Sequence, residues 1–296
     1  MRAREQVVEV SPEALRFLER ALKRQWQRYR KELQRCQEQF SEKSVHESRV
    51  AARRLLSTIE LLEGFLKLAR VKKVRRCLKQ HLDTFDDLRD TQVQLRAAKL
   101  LRRSLPLGRS FYEWLLSREE RFRKQARAGV KRIRPKALSK LVAGCRADLQ
   151  AGLKSGPLES AGGRVLRSVD RAFARAKQLR ARIAPRRTET IHRTRVAFKK
   201  FRYMVEVLAE QVLPVQKGFL EALRQYQTRM GDIQDAEILL RALDKFLRKK
   251  NIRSEPGREL RGQVLSKRQL LIESYLETAD QMKDFWPLPG AASRSS

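Results

Sequence analysis

Apolar residues recur every three or four positions along nearly the whole chain of 296 residues, and no convincing stretch alternates every second position. A period near 3.6 is that of a helix buried on one face, and a period of two would mark strands. Ala, Leu, Arg, Lys, Glu and Gln dominate, while Gly and Pro are sparse at 13 and 9 copies, a composition that favours helix interiors. The pattern predicts an all-α protein. It places helices at about 11–39, 43–69, 72–88, 91–103, 109–134 and 136–151. Further helices follow at about 163–184, 188–212, 215–230, 233–250 and 257–283. Ser11, Pro12 and Glu13 read as a helix start, with Ser as N-cap, Pro at the first helical position and an acid in the first turn.

The periodicity breaks once, at GLKSGPLESAGG (152–163), which holds Pro157 and is rich in Gly and Ser. The segments on either side match in order. LRFLERALKR (15–24) aligns with LRSVDRAFAR (166–175) at an offset of 151. VHESRVAARRLLSTIELL (45–62) aligns with IHRTRVAFKKFRYMVEVL (191–208) at 146. RDTQVQL (89–95) aligns with QDAEILL (234–240) at 145, and at that offset Lys72 and Lys79 fall on Lys217 and Arg224. A near-constant offset over several segments points to internal duplication of a helical-bundle unit. The division expected is a first bundle at 1–151, a linker at 152–163, a second bundle at 164–284 and a flexible tail at 285–296, with Phe285 and Trp286 candidates to dock.

Charge changes the picture. Lys and Arg total 68 against 34 Asp and Glu, a formal net charge of +34. No fold requires such an excess, which costs self-repulsion, so it points to a polyanionic partner: nucleic acid, an anionic membrane surface or a phosphate polymer. No apolar run approaches the roughly 20 residues of a membrane helix, and the first residues lack the apolar core of a signal peptide. A soluble, cytoplasmic protein is expected. Cys36, Cys77 and Cys145 stand far apart, without metal-ligand spacing, and read as free thiols in a reducing compartment.

The matched histidine segments carry the candidate chemistry. Both read His-x-x-Arg-x-x-x-(Arg/Lys)-(Arg/Lys), and they hold two of the three histidines in the chain. On a helical wheel His192, Arg195, Lys199 and Arg202 share an arc of roughly 80°, while Phe198, Phe201, Val205 and Leu208 form the core face. Lys200 follows in the basic pair. The first copy puts His46, Arg49 and Arg53 on one stripe, with Arg54 beside them, and Ala52, Leu55, Ile59 and Leu62 on the core face. The preceding helices carry Arg16, Arg20 and Arg24, matched by Arg167, Arg171 and Arg175. Two basic stripes per half are candidates to line one groove.

Such donors suit phosphate. Arg presents a planar fork, Lys a compact charge and His one or two N–H groups according to protonation. Arginine neighbours should push a free histidine toward neutral, and a bound polyanion should reverse that push. His81 has no counterpart and reads as structural or surface. Asp90 and Asp235 are matched acids, expected to open the following helix as N-caps or salt bridges, with orientation of a groove Arg or His as the alternative. Glu60 and Glu206 match along the histidine helices. No metal site is expected, since cations follow each histidine where a second ligand should stand. Nothing resembles a nucleotide-binding loop.

VHESRVAARR and IHRTRVAFKKFRYMVEVL, followed by RDTQV and QDAEI, resemble the CHAD domain over about residues 11–283. The second copy matches better, and in the first Leu56 stands opposite Arg202. The resemblance implies two four-helix bundles related by a pseudo-twofold axis, with a basic surface or pore between them. It implies binding of inorganic polyphosphate without catalysis or cofactor, and association with polyphosphate granules. Other polyanions, such as nucleic acid and nucleotides, would bind more weakly. A nucleic-acid binder is the main alternative, but aromatic residues for base stacking are only 7% of the chain and fall mostly at core spacing. A phosphohydrolase or phosphotransferase lacks the clustered carboxylates that would hold a metal.

Overall fold

The computed structural model describes residues 12–154, 158–210, 213 and 215–287. Among the described residues ten α-helices follow in chain order: α1 (Pro12–Glu38), α2 (Glu42–Leu61), α3 (Leu68–Asp83), α4 (Asp86–Ser104), α5 (Pro106–Arg132), α6 (Pro135–Lys154), α7 (Leu158–Arg180), α8 (Thr188–Ala209), α9 (Phe219–Lys249) and α10 (Glu255–Thr278). Short 3-10 helices run over Glu63–Phe65 and Ala279–Phe285. The described residues contain no strand. Pro12 opens α1 as the sequence requires; Ser11 lies outside the described residues.

Local chemistry sets the helix ends. A capping box starts α2: the Ser44 backbone N–H donates to Ser41 Oγ at 3.1 Å, and the Ser41 N–H donates to Ser44 Oγ at 2.9 Å. Pro106 and Pro256 sit in the first turns of α5 and α10, where a missing N–H costs nothing. Gly218, at φ 89, turns the chain into α9 through a left-handed conformation that a side chain would disfavour.

The helices expected at 215–230 and 233–250 are one helix, α9, of 31 residues. Gly231 and Asp232 suggest a break, yet Gly231 lies in the helix interior, because packing on both sides outweighs its weak helix preference. The helix expected at 43–69 stops at Leu61, and a 3-10 turn leads into α3 four residues before the predicted start at 72. Helices α6 and α7 run into the expected linker from both sides, as far as Lys154 and from Leu158; Pro157 lies outside the described residues.

The buried side chains form two clusters, and neither follows the division at 152–163. The larger joins α1, α2, α3 and α6 with α7, α8, the first half of α9 and the end of α10. The smaller joins Phe111 and Leu115 of α5 and Ala98 of α4 with Leu240, Leu243 and Phe246 of α9 and Leu260 and Val264 of α10. One core per sequence half is not what these contacts make. Long helices such as α5 and α9 pass from one cluster to the other, Ala126 and Val130 of α5 lying in the larger. Phe285 and Trp286, assigned to the tail by sequence, are held: Phe285 is 8% exposed against Phe198 and Tyr226, and Trp286 Nε1 donates to Asp170 Oδ1 at 2.7 Å. Residues 288–296 lie outside the described residues.

Candidate functional site

The histidine-bearing helices α2 and α8 pack against one another, and His46 and His192 are each the fifth residue of their helix. Their core faces are as the wheel requires: Ala52, Leu55, Ile59 and Leu62 on one and Phe198, Phe201, Val205 and Leu208 on the other are all 0% exposed. Burying those faces turns the basic stripes toward a shared space. There Lys199 of α8 is surrounded by Arg53 and Arg49 of α2 and by Arg195 and Arg202 of its own helix. Burial first, and then these four guanidinium groups, pull the Lys199 ammonium down to about 6. Arg53 is pulled down to about 10 by burial and by Arg49 and Arg195, and it stays charged at neutral pH.

The cations differ in how they are held. Arg49, 5% exposed, donates from Nη1 to the Leu82 carbonyl at 2.8 Å and from Nη2 to Asp86 Oδ1 at 3.0 Å. Arg202, 7% exposed, donates from Nε to Gln227 Oε1 at 2.8 Å and from Nη1 to Glu206 Oε1 at 2.5 Å, and it lies over the Tyr203 ring at 4.4 Å. By contrast, Arg53, Arg195 and Lys199 are half-buried and form no ion pair among the described residues. Arg195 Nε has no hydrogen-bond partner among them. Half-buried donors without protein acceptors are poised for a ligand.

Carboxylates stand behind the cluster. Glu60 accepts from Lys200 Nζ at 3.3 Å and from Arg75 Nη2 at 2.9 Å, joining α2, α8 and α3. Glu206 accepts from Arg202 and, at 3.2 Å, from Arg224 Nε. Asp90 and Asp235 lie inside α4 and α9, so the N-cap role expected for them is not theirs. Both are raised above the usual carboxylate range by burial, Asp90 to about 6 with Asp86 adding to the rise. Their fields meet Arg195, and Asp235 also meets Arg89. The orienting alternative fits this geometry.

His192 is half-buried and held below its usual value by burial and then by Arg195; its Nδ1 has no hydrogen-bond partner among the described residues. His46 is exposed and lines a cavity of about 480 Å³ with Lys43, Arg89 and Arg96. His81 is structural: 2% exposed, within hydrogen-bond reach of Ser48 Oγ at 3.2 Å, between the rings of Tyr29 and Phe85, and pushed down to about 4 by burial.

The remaining predicted residues are spread more widely. Arg54 is half-buried on α2. Lys72, Lys79 and Lys217 are exposed. On α1, Arg16 and Arg20 are exposed, and Arg24 pairs with Glu210 at 2.7 Å beyond the end of α8. On α7, Arg167 is exposed, Arg171 donates to Ser168 Oγ at 3.3 Å and Arg175 to Gln178 Oε1 at 2.6 Å. None of these six arginines is among the groups acting most strongly on Lys199 or Arg53. Sequence reasoning passed over Arg75 and Arg89. At the offset of 145 they fall opposite Leu220 and Gln234, so a search for matched cations skips them.

Fold and site together describe an all-helical protein with a basic cluster between two histidine-bearing helices. The CHAD domain model matches residues 20–244, and the chain belongs to that family. The crystal structure of the CHAD domain from the plant Ricinus communis is similar over 90% of this chain and 91% of its own, with a TM-score of 0.67 and 18% identity. PptA from Streptomyces chartreusis is similar over 91% of this chain and 98% of its own, with a TM-score of 0.64 and 14% identity. Both are likenesses of fold. No curated protein sequence matches the chain. Among the described residues no helix is long and apolar enough to cross a membrane.

Proposed function

We propose that the cluster binds inorganic polyphosphate without acting on it, and that this binding holds the protein at polyphosphate granules in the cytoplasm. The observation that carries the reading is Lys199 among four arginines, with Arg53, Arg195 and Lys199 lacking any ion pair among the described residues. A chain of phosphates supplies many acceptors in a row, which a cluster built from two helices can engage together. The nearby carboxylates Asp86, Glu60 and Glu206 are already engaged by arginine or lysine, which suits orientation better than acid–base chemistry.

Internal duplication gives a reason for two donor arrays. A polymer of identical phosphates can be clamped by related copies, and the second contact then forms at high effective concentration. A further match supports the duplication: GRSFYEWLLSR (108–118) aligns with GRELRGQVLSK (257–267) at an offset of 149. The matched pairs Phe111 and Leu260, and Leu115 and Val264, are buried in the same cluster. In this reading a pseudo-twofold relates the copies, whose cores have merged.

A competition titration tests the proposal. Labelled long-chain polyphosphate is bound at near-physiological salt and challenged with mixed-sequence DNA and RNA. Wild type is compared with Arg53→Ala/Lys199→Ala and with Lys131→Ala/Lys136→Ala, two exposed lysines at the α5–α6 corner. Polyphosphate should resist nucleic acid, and the cluster variant alone should lose at least tenfold in affinity. Ready displacement by nucleic acid, with equal losses in both variants, would reduce the cluster to generic charge.

A further inference from the structure

A second cavity lies outside the basic cluster. It measures about 1060 Å³ and opens between α4, α9 and α10, where the two cores part. This is at the upper end of the roughly 300–1,000 Å³ of small-molecule pockets. Val93, Ala97, Leu101, Leu239, Val264 and Leu271 give its wall an apolar character. Leu100 and Leu270, 68% and 65% exposed, stand on its rim.

The cavity exists because α10 is small-sided there. Gly262 and Ser266 line it, and a Cβ built on Gly262 meets nothing within 4 Å. The matched stretch of α5 is filled instead: Arg118 lies over the Trp114 ring at 4.7 Å and over the Phe122 ring at 5.0 Å. Trp114 falls opposite Gln263 in the 149 alignment, and Arg118 opposite Lys267. One fork between the cores is thus occupied by a stacked aromatic and cationic group, and the other is open.

Charge is uneven across the opening. Arg89, Arg96 and Lys267 face it, with Asp232 and Asp235 on α9. Asp232 interacts with Lys267 and Arg195, Asp235 with Arg195 and Arg89, and Arg96 pairs with Glu42 at 3.4 Å. Arg89 is half-buried and forms no ion pair among the described residues. A polyphosphate has no apolar body to place against these walls, and a neutral hydrocarbon would leave Arg89, which Asp235 and Glu42 reach only at a distance, without a directly paired anion. We propose that this cavity is a second binding site, for a single-chain amphipathic carboxylate whose acyl chain lies along the walls and whose carboxylate meets Arg89. This site stands apart from the polyphosphate reading.

Isothermal titration with dodecanoate below its micelle concentration tests it. One-site, saturable binding is expected, at least tenfold tighter than for dodecanol. Gly262→Trp should fill the cavity and weaken dodecanoate at least tenfold while polyphosphate affinity is unchanged. Ser266→Phe narrows the same wall one turn on and answers the question if Gly262→Trp does not fold. Equal binding of dodecanol overturns the proposal. So does dodecanoate binding that survives the filled cavity, which is adsorption on a cationic surface, or the absence of saturable binding.

Discussion

Lys200 of α8 reaches Glu60 of α2, Nζ to Oε2 at 3.3 Å, and this ion pair joins the two histidine-bearing helices beside the basic cluster. Glu60 is 8% exposed and also receives Arg75 of α3, so one carboxylate sets the spacing of three helices. Glu60→Gln keeps the shape and removes the charge. It is expected to lower stability by about 1–3 kcal/mol, since two cations lose a largely buried partner. Polyphosphate affinity should not fall, because Lys200 is released. Urea unfolding and a binding titration on the same variant separate the two effects.

Lys199 has the opposite character. Its folded value of about 6 lies far below that of an unfolded lysine, so between about pH 6 and 10.5 the unfolded chain carries the extra proton. Stability of the free protein should therefore rise as pH rises through that window. Lys199→Met should stabilise the free protein at neutral pH, flatten this rise and weaken polyphosphate binding. A polyanion favours the ammonium form against Arg49, Arg53, Arg195 and Arg202, so binding at pH 7.5 should take up a proton. Titration in buffers of different ionisation heat measures the uptake, which Lys199→Met should abolish.

Gly231 faces the cluster from the interior of α9. A Cβ there would sit 3.6 Å from Arg195 Nε, an ordinary contact. Gly231→Ala should thus stabilise the protein by about 0.5–1 kcal/mol through helix propensity and leave binding intact. Gly231→Leu has no such room and should displace Arg195, weakening polyphosphate several-fold with helix content unchanged by circular dichroism.

His81 predicts an acid limit. Its folded value of about 4 lies below the usual 6.5, so the unfolded state takes the proton first. Its contribution to stability is complete above about pH 6.5 and is lost as pH falls toward 4. His81→Gln should show a smaller loss of stability between pH 7 and pH 5 in urea titrations, although its stability at pH 7 is lower.

The helices were legible wherever periodicity and capping act within a few residues of each other. Pro12, Pro106 and the core faces of α2 and α8 are examples. Gly231 misled because its local preference speaks for a break, while the packing around α9 comes from residues far away in sequence. Arg49, Arg53, Arg195 and Lys199 could be singled out by repetition, since a duplicated pattern of His, Arg and Lys is a one-dimensional signal. Arg75 and Arg89 could not, because each stands opposite an uncharged residue. Nor could Asp90 and Asp235 be separated from helix caps until the helices around them had definite starts.

Residue order along the chain settles the all-α class, the charge of +34 and the two donor-bearing helices, because helix periodicity and net charge are local or additive properties. The partition of the core is different in kind. Whether α5 and α9 each serve one cluster or two depends on how long helices cross, and crossing is chosen by side chains more than a hundred positions apart. The same holds for the cluster's electrostatics. Lys199 is an ordinary lysine in the sequence; only the approach of α2 brings Arg49 and Arg53 to it and withdraws it from water. Desolvation and Coulomb energy depend on distances in space, and those exist only once the helices have packed.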